Sequence, residues 1–114
     1  MRPEGLPRSW RLTRRSDLTA VTRSGRRRRT PRLDISWRAN ELGHPRLGVV
    51  VPRHGRSVVE RNRLRRRLRE FARRRLLPRL APIDLVIRSR QAAYGSDFPE
   101  LATDLDLWAL SLSG

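Results

Sequence analysis

Between Glu60 and Phe71 the chain reads Glu-Arg-Asn-Arg-Leu-Arg-Arg-Arg-Leu-Arg-Glu-Phe, with six arginines in twelve residues. Arginine carries a planar fork of donors that grips a phosphate with two parallel hydrogen bonds and stacks on flat rings. The chemistry on offer is therefore polyanion recognition. At about 100° per residue, Leu64, Leu68, Phe71 and Ala72 share one arc of a helix and predict its core face. Asn62, Arg66, Arg69 and Arg73 make a stripe on the far side, flanked by Arg65. Arg63, Arg67 and Arg74 fall on the other flank. Like charges this close repel by a few tenths of a kcal/mol per pair (roughly 0.2–0.5). Binding a phosphate backbone relieves that repulsion and releases counterions. Asn62 interrupts the basic pattern with an amide that both donates and accepts, suited to ordering neighbouring arginines or reading a nucleotide edge.

Little else in the chain could do chemistry. His44 and His54 lie in basic loops, and neither has a neighbour that suggests a nucleophile or a metal pair. There is no cysteine, which removes disulfides, thiolate metal sites and a cysteine nucleophile. A nuclease working alone would need carboxylates clustered around metal ions, and here they are scattered or collected near the C-terminal end.

Composition agrees with a polyanionic partner. All 27 basic residues among the 114 are arginine, and the formal net charge is +16. Eleven arginines fall in residues 1–33 and twelve more in 53–79, whereas 91–114 holds none and carries Asp97, Glu100, Asp104 and Asp106. Segregation of this kind fits a docking face better than a general solubility device. The hydrophobic fraction of 37% suffices for one modest core.

The elements that must position the arginine helix can be read from local patterns. Residues 1–10, with Pro3, Gly5 and Pro7, predict a flexible basic arm, leaving 11–114 as a single domain. Ser16 or Asp17 is expected to cap a helix running to about Arg23 and ended by Gly25. The run Arg26 to Arg29 leads into a strand and is read as an RNA contact rather than a solvated loop. Leu33, Ile35 and Trp37 alternate with polar residues, so a half-buried strand is expected, with Trp37 in the core and Ser36 on the other face. Leu47 to Val51 predicts an inner strand. Ser57-Val58-Val59-Glu60 is a capping box that starts the arginine helix, which is expected to run to about Leu77, before Pro78. Ile83 to Ile87 predicts another strand. Asp97 caps a final helix whose Phe98, Leu101, Leu105, Trp108 and Leu112 share one face. The order helix, strands, helix, strand, helix gives an α+β sandwich of helices on a sheet.

Arg61-Asn62-Arg63, with Leu64-Arg65-Arg66 and Arg69-Glu70, resembles the RNR signature of the bacterial ribonuclease P protein family. The apolar Leu47-Gly48-Val49-Val50-Val51, the basic turn Arg53-His54-Gly55-Arg56 and the opening Arg11-Leu12-Thr13-Arg14 are similar to the same family, over roughly residues 10–112. The resemblance implies a sandwich with a left-handed βαβ crossover around the RNR helix, against the usual right hand. It implies a ribonucleoprotein that removes the 5′ leader of precursor tRNA, whose RNA subunit holds the hydrolytic site and its Mg2+ ions. No cofactor bound by the protein alone and no small-molecule ligand are then expected. By carry-over, Arg53, Arg56, Arg61, Asn62, Arg63, Arg65, Arg66 and Arg69 face RNA, and Arg73 continues the stripe. The positions that line the family's cleft for the single-stranded leader fall on Leu18, Thr22 and Ser36. None is aromatic, so base stacking is not expected there.

A basic RNA-binding protein of ribosomal type fits the composition equally well; the RNR motif after an apolar strand favours the ribonuclease P reading. No helix-turn-helix spacing, zipper or zinc-ligand pattern supports a DNA-groove reader. With no signal-peptide core and no apolar run near about 20 residues, a cytoplasmic protein without membrane association is expected.

Overall fold

In the computed structural model, which describes residues 6–113, a four-stranded mixed sheet carries helices on both faces. The elements are α1 (Arg15–Ser24), β1 (Arg26–Arg29), β2 (Leu33–Ala39), β3 (Arg46–Val50), α2 (Val58–Phe71), β4 (Ile83–Ser89) and α3 (Phe98–Ser113). The strand order is β1-β2-β4-β3. β2 is antiparallel to both β1 and β4, whereas β3 and β4 are parallel neighbours. Parallel neighbours need a long crossover, and α2 supplies it. This β3–α2–β4 unit is the crossover to which the family resemblance assigns the left hand.

Strand alternation divides the core. Leu33, Ile35, Leu47, Leu85 and Ile87 point to one face and are buried against Leu64, Leu68 and Phe71 of α2 and Leu101, Leu105 and Trp108 of α3. Trp37 packs on this cluster as expected, its ring 5.5 Å from that of Trp108 in an edge-to-face pair. On the opposite face a smaller cluster forms from Leu12, Val21 and Val86, with Leu18 and Val50 against it. Gly48 permits this second layer, because a Cβ there would lie 2.5 Å from Leu18 Cδ2.

Several local expectations are corrected. α1 begins at Arg15 without a side-chain cap, so Ser16 and Asp17 lie in its first turn. The arginines of 26–29 do not lead into a strand; they are one, paired in register with Asp34 to Trp37. The arm expected to be flexible over 1–10 is packed in its described part: Leu6 is buried in the main core, and the Trp10 and His44 rings stack with centroids 4.9 Å apart. Residues 1–5 lie outside the described part. Leu6 and Trp10 are apolar groups in a polar, proline-bearing stretch, and only the neighbouring surface shows that they have somewhere to bury. The arginine helix changes pitch at Ala72, passing through a π-helical turn (Ala72–Leu76) and a 3-10 turn (Leu77–Arg79). The wider turn lets Ala72, Leu76 and Leu77 all reach the core before Pro78 ends the run. In α3, Phe98 and Leu112 are both exposed, although Phe98 still meets the Phe71 ring edge-to-face at 5.5 Å.

Candidate nucleic-acid interface

α2 starts where the sequence places it. The Glu60 N–H donates to Ser57 Oγ at 3.1 Å, and the Ser57 N–H donates to the Glu60 carboxylate at 3.1 Å. That backbone hydrogen bond, joined by Arg56 and the Ser57 hydroxyl, holds the Glu60 carboxyl below its ordinary range against the opposing effect of desolvation. The turn ahead of the cap puts His54 (φ 47°) and Gly55 (φ 76°) in the left-handed region, which reverses the chain sharply between β3 and α2.

The arginines of α2 fall into a half-buried row, an exposed Arg66 and an exposed pair beside Tyr94. Arg61, Arg65 and Arg69, one turn apart, are half-buried along one side of the helix, while Asn62, Arg63, Arg66 and Arg67 are exposed. Arg65 donates to the Asn62 side-chain oxygen at 2.7 Å, and Arg61 donates to the Val51 carbonyl at 3.4 Å. Burial, with repulsion from Arg11 and Arg65, lowers the Arg69 pKa. At neutral pH a guanidinium stays charged regardless, so the shift reports first the burial of this group and second the like charges of Arg11 and Arg65 near it. Arg11 is there because residues 6–12 dock along β3, with Leu12 N–H donating to the Leu47 carbonyl at 2.8 Å. The stripe expected on the far side of the helix is therefore split. Arg69 is half-buried and feels repulsion from Arg11, and Arg73 is half-buried with a 2.6 Å hydrogen bond to Glu70. That bond is the main cause holding the Glu70 carboxyl below its usual range.

The third group lies beside Tyr94. Arg63 and Arg67, with Glu60, Leu64, Ala93, Tyr94 and Ser96, border a shallow groove of about 120 Å³. The Arg56 guanidinium sits over the Tyr94 ring, 5.0 Å from its centroid, and pairs with Glu60 at 3.2 Å. The Tyr94 hydroxyl donates to the Pro52 carbonyl at 2.8 Å. Tyr94 thus braces the basic turn from below, while Arg53 and Arg56 stay exposed.

On the other sheet face, α1 and the strands enclose a groove of about 400 Å³ lined by Thr22, Arg27, Asp34, Ser36, Val86 and Arg88. Two of the three expected cleft residues, Thr22 and Ser36, line it. Leu18 instead packs into the small apolar cluster over Gly48. The groove contains no aromatic ring. Its one acidic group among the described residues, Asp34, is bridged by Arg29 at 3.0 Å and by Arg27 at 3.5 Å. Arg11, Arg88 and Tyr94 were not expected at these sites, and Arg27 was expected as part of the RNA-contacting run 26–29 but not as a wall of this groove. Arg27 and Arg88 could have been found from strand alternation, since both share the Ser36 face. Nothing local distinguishes Tyr94. Among the described residues no three histidine or acidic side chains come together to hold a metal ion. None of the described helices is long and apolar enough to cross a membrane.

The chain matches the family model described as Ribonuclease P over residues 6–111. It is 43% identical over 96 residues to the ribonuclease P protein component of Xanthomonas campestris pv. campestris (strain B100), covering 83% of this chain and 64% of that relative. It is 40% identical over 103 residues to the corresponding protein of Acidothermus cellulolyticus, covering 89% of this chain and 86% of the relative. The chain therefore spans a little under two thirds of the Xanthomonas protein and most of the Acidothermus one. Its fold is similar to that of the RNase P protein from Thermotoga maritima, with a TM-score of 0.77 at 26% identity, covering 87% of this chain and 94% of that one.

Proposed function

Because this chain belongs to the ribonuclease P protein family, we propose that it is the protein subunit of a ribonuclease P holoenzyme, binding the RNA subunit and assisting removal of the 5′ leader from precursor tRNA. The observation that carries this reading is the row Arg61, Arg65 and Arg69, which no carboxylate neutralises among the described residues and which Arg11 reinforces. Such a row gains from a phosphate backbone, and its half-buried stems hold the guanidinium groups at fixed spacing. Arg53, Arg56, Arg63 and Arg66 extend the same surface, and Asn62 orders it.

Hydrolysis is assigned to the RNA subunit, with Mg2+ held there and supplying the activated water. In this assignment the protein binds and orients. The α1–sheet groove takes the leader through Arg27 and Arg88 on phosphates and through Ser36, Thr22 and Asp34 on base edges. Stacking, which would need a ring in the groove, has no part in it. The site of action is the cytoplasm, where tRNA precursors are made.

Reconstitution tests this directly. The protein is mixed with a bacterial ribonuclease P RNA and a precursor tRNA at low magnesium, and cleavage is compared with and without it. Cleavage at the mature 5′ end that depends on both components is expected. Tight RNA binding without gain in cleavage would replace this reading with that of a ribosomal-type RNA-binding protein.

A further inference from the structure

Strand β1 consists of four arginines, all exposed, at the edge of the sheet farthest from β3. Directly opposed residues of an antiparallel pair share a face. Arg27 and Arg29 oppose Ser36 and Asp34, so they stand on the groove side. Arg26 and Arg28 oppose Trp37 and Ile35, which puts them on the α3 side. The two pairs differ electrostatically. Arg27 and Arg29 share the Asp34 carboxylate, whereas Arg26 and Arg28 have no ion-pair partner among the described residues. Side chains on one face of a strand repeat at about 6.6–6.8 Å. That spacing is comparable to the distance between successive phosphates along an extended polynucleotide. Arg27 also lines the groove, so β1 is at once the groove wall and the sheet edge.

The geometry points to β1 as a second RNA-binding site, distinct from the α2 surface: a rail on which a single-stranded RNA leaving the groove passes onto and along the sheet edge, its backbone held between Arg27 and Arg29 on one flank and Arg26 and Arg28 on the other. The ligand class is an extended single-stranded phosphodiester chain, because a strand edge offers a line of charges one residue wide. Asp34 keeps the groove-side pair in place before RNA arrives and leaves the outer pair free for the first contact. The inference rests on the reading of the groove as a single-strand site. It does not need the RNA subunit or cleavage.

The test uses the intact protein and fluorescently labelled oligouridylates, a tetranucleotide sized for the groove and a dodecanucleotide long enough to pass along the edge. Binding is followed by anisotropy across a salt series for the wild type, Arg26→Gln/Arg28→Gln and Arg26→Lys/Arg28→Lys. Each phosphate contact on a single strand contributes about 0.7 to the slope of log K against log salt. The glutamine variant should therefore lose about 1.4 from the slope on the dodecanucleotide and nothing on the tetranucleotide, with the lysine variant close to wild type. An unchanged slope on the dodecanucleotide overturns the proposal. In that case the arginines serve only to keep an open edge from pairing with another chain, and the glutamine variant should self-associate in light scattering. If the wild type binds neither oligonucleotide, the groove reading itself fails, and cleavage in the reconstituted holoenzyme remains a separate question.

Discussion

Arg65 donates a 2.7 Å hydrogen bond to the side-chain oxygen of Asn62, one turn earlier on the exposed side of α2. The amide oxygen is the only acceptor that this guanidinium finds in the described structure. It fixes one end of the fork and leaves the other donors facing out. An asparagine at this place holds an arginine without neutralising it, as a carboxylate would. Replacing Asn62 with alanine should weaken affinity for the ribonuclease P RNA, and replacing Arg65 should weaken it more. The double variant should be little worse than Arg65→Ala alone, since the two act as one unit. Additive losses in a double-mutant cycle would show that Asn62 contacts RNA independently.

The Arg61–Arg65–Arg69 row predicts a salt signature. Removing all three as alanines should lower the slope of log K against log salt by about 2–3 on structured RNA. Thermal stability should hold or rise slightly, because the variant loses the repulsion among Arg11, Arg65 and Arg69. A triple variant with wild-type salt dependence would place the RNA elsewhere on the domain.

Asp84 predicts the response to acid. Its carboxylate, carried by β4 opposite Arg46 of β3, is buried and accepts from Arg46 at 2.9 and 2.8 Å and from Asn40 at 2.9 Å. Burial alone would raise its pKa and is the largest single influence, but the hydrogen bonds from Arg46 and Asn40 together outweigh it and hold the group below 3.8. The unfolded chain then binds the proton more readily than the folded one. This contribution to stability is complete above the ordinary carboxylate range and is lost as pH falls below about 4 through the lowered folded value. Asp84→Asn should flatten the acid limb of a Tm-against-pH curve. Asp84→Ala, which strands Arg46, should cost about 2–3 kcal/mol at neutral pH. An acid limb unchanged in Asp84→Asn would assign the effect to other carboxylates.

Tyr94 predicts that support of the basic turn matters as much as its charges. Tyr94→Phe removes the hydrogen bond to the Pro52 carbonyl and should cost about 1 kcal/mol in denaturant unfolding. Tyr94→Ala also removes the ring beneath Arg56 and beside His54. Its loss of RNA affinity should match that of Arg56→Ala, with Tyr94→Phe close to wild type. If Tyr94→Ala binds RNA normally while melting early, the residue serves folding alone.

What the sequence determined by itself was whatever depends on neighbours along the chain. The Ser57–Glu60 cap and the Asp97–Glu100 pair, whose N–H groups exchange 3.0 Å bonds with each other's carboxylates, rest on three-residue spacing. The core arc Leu64, Leu68 and Phe71 rests on the helical period, and the faces of Ile35, Ser36 and Trp37 on the period of two. Net charge and its segregation pointed to a polyanionic partner before any fold was known. The tertiary structure alone decided which arginines are exposed, which are paired and which are crowded. Arg69 comes within range of the Arg11 charge across 58 positions of sequence only because Leu6 and Leu12 find apolar sites that bring the N-terminal segment onto β3. Tyr94 meets Arg56 because β4 returns parallel to β3 and carries the following turn to the start of α2. Periodicity tells a residue which way to face, but what it faces is settled by segments distant in sequence, whose approach depends on burial summed over the whole core.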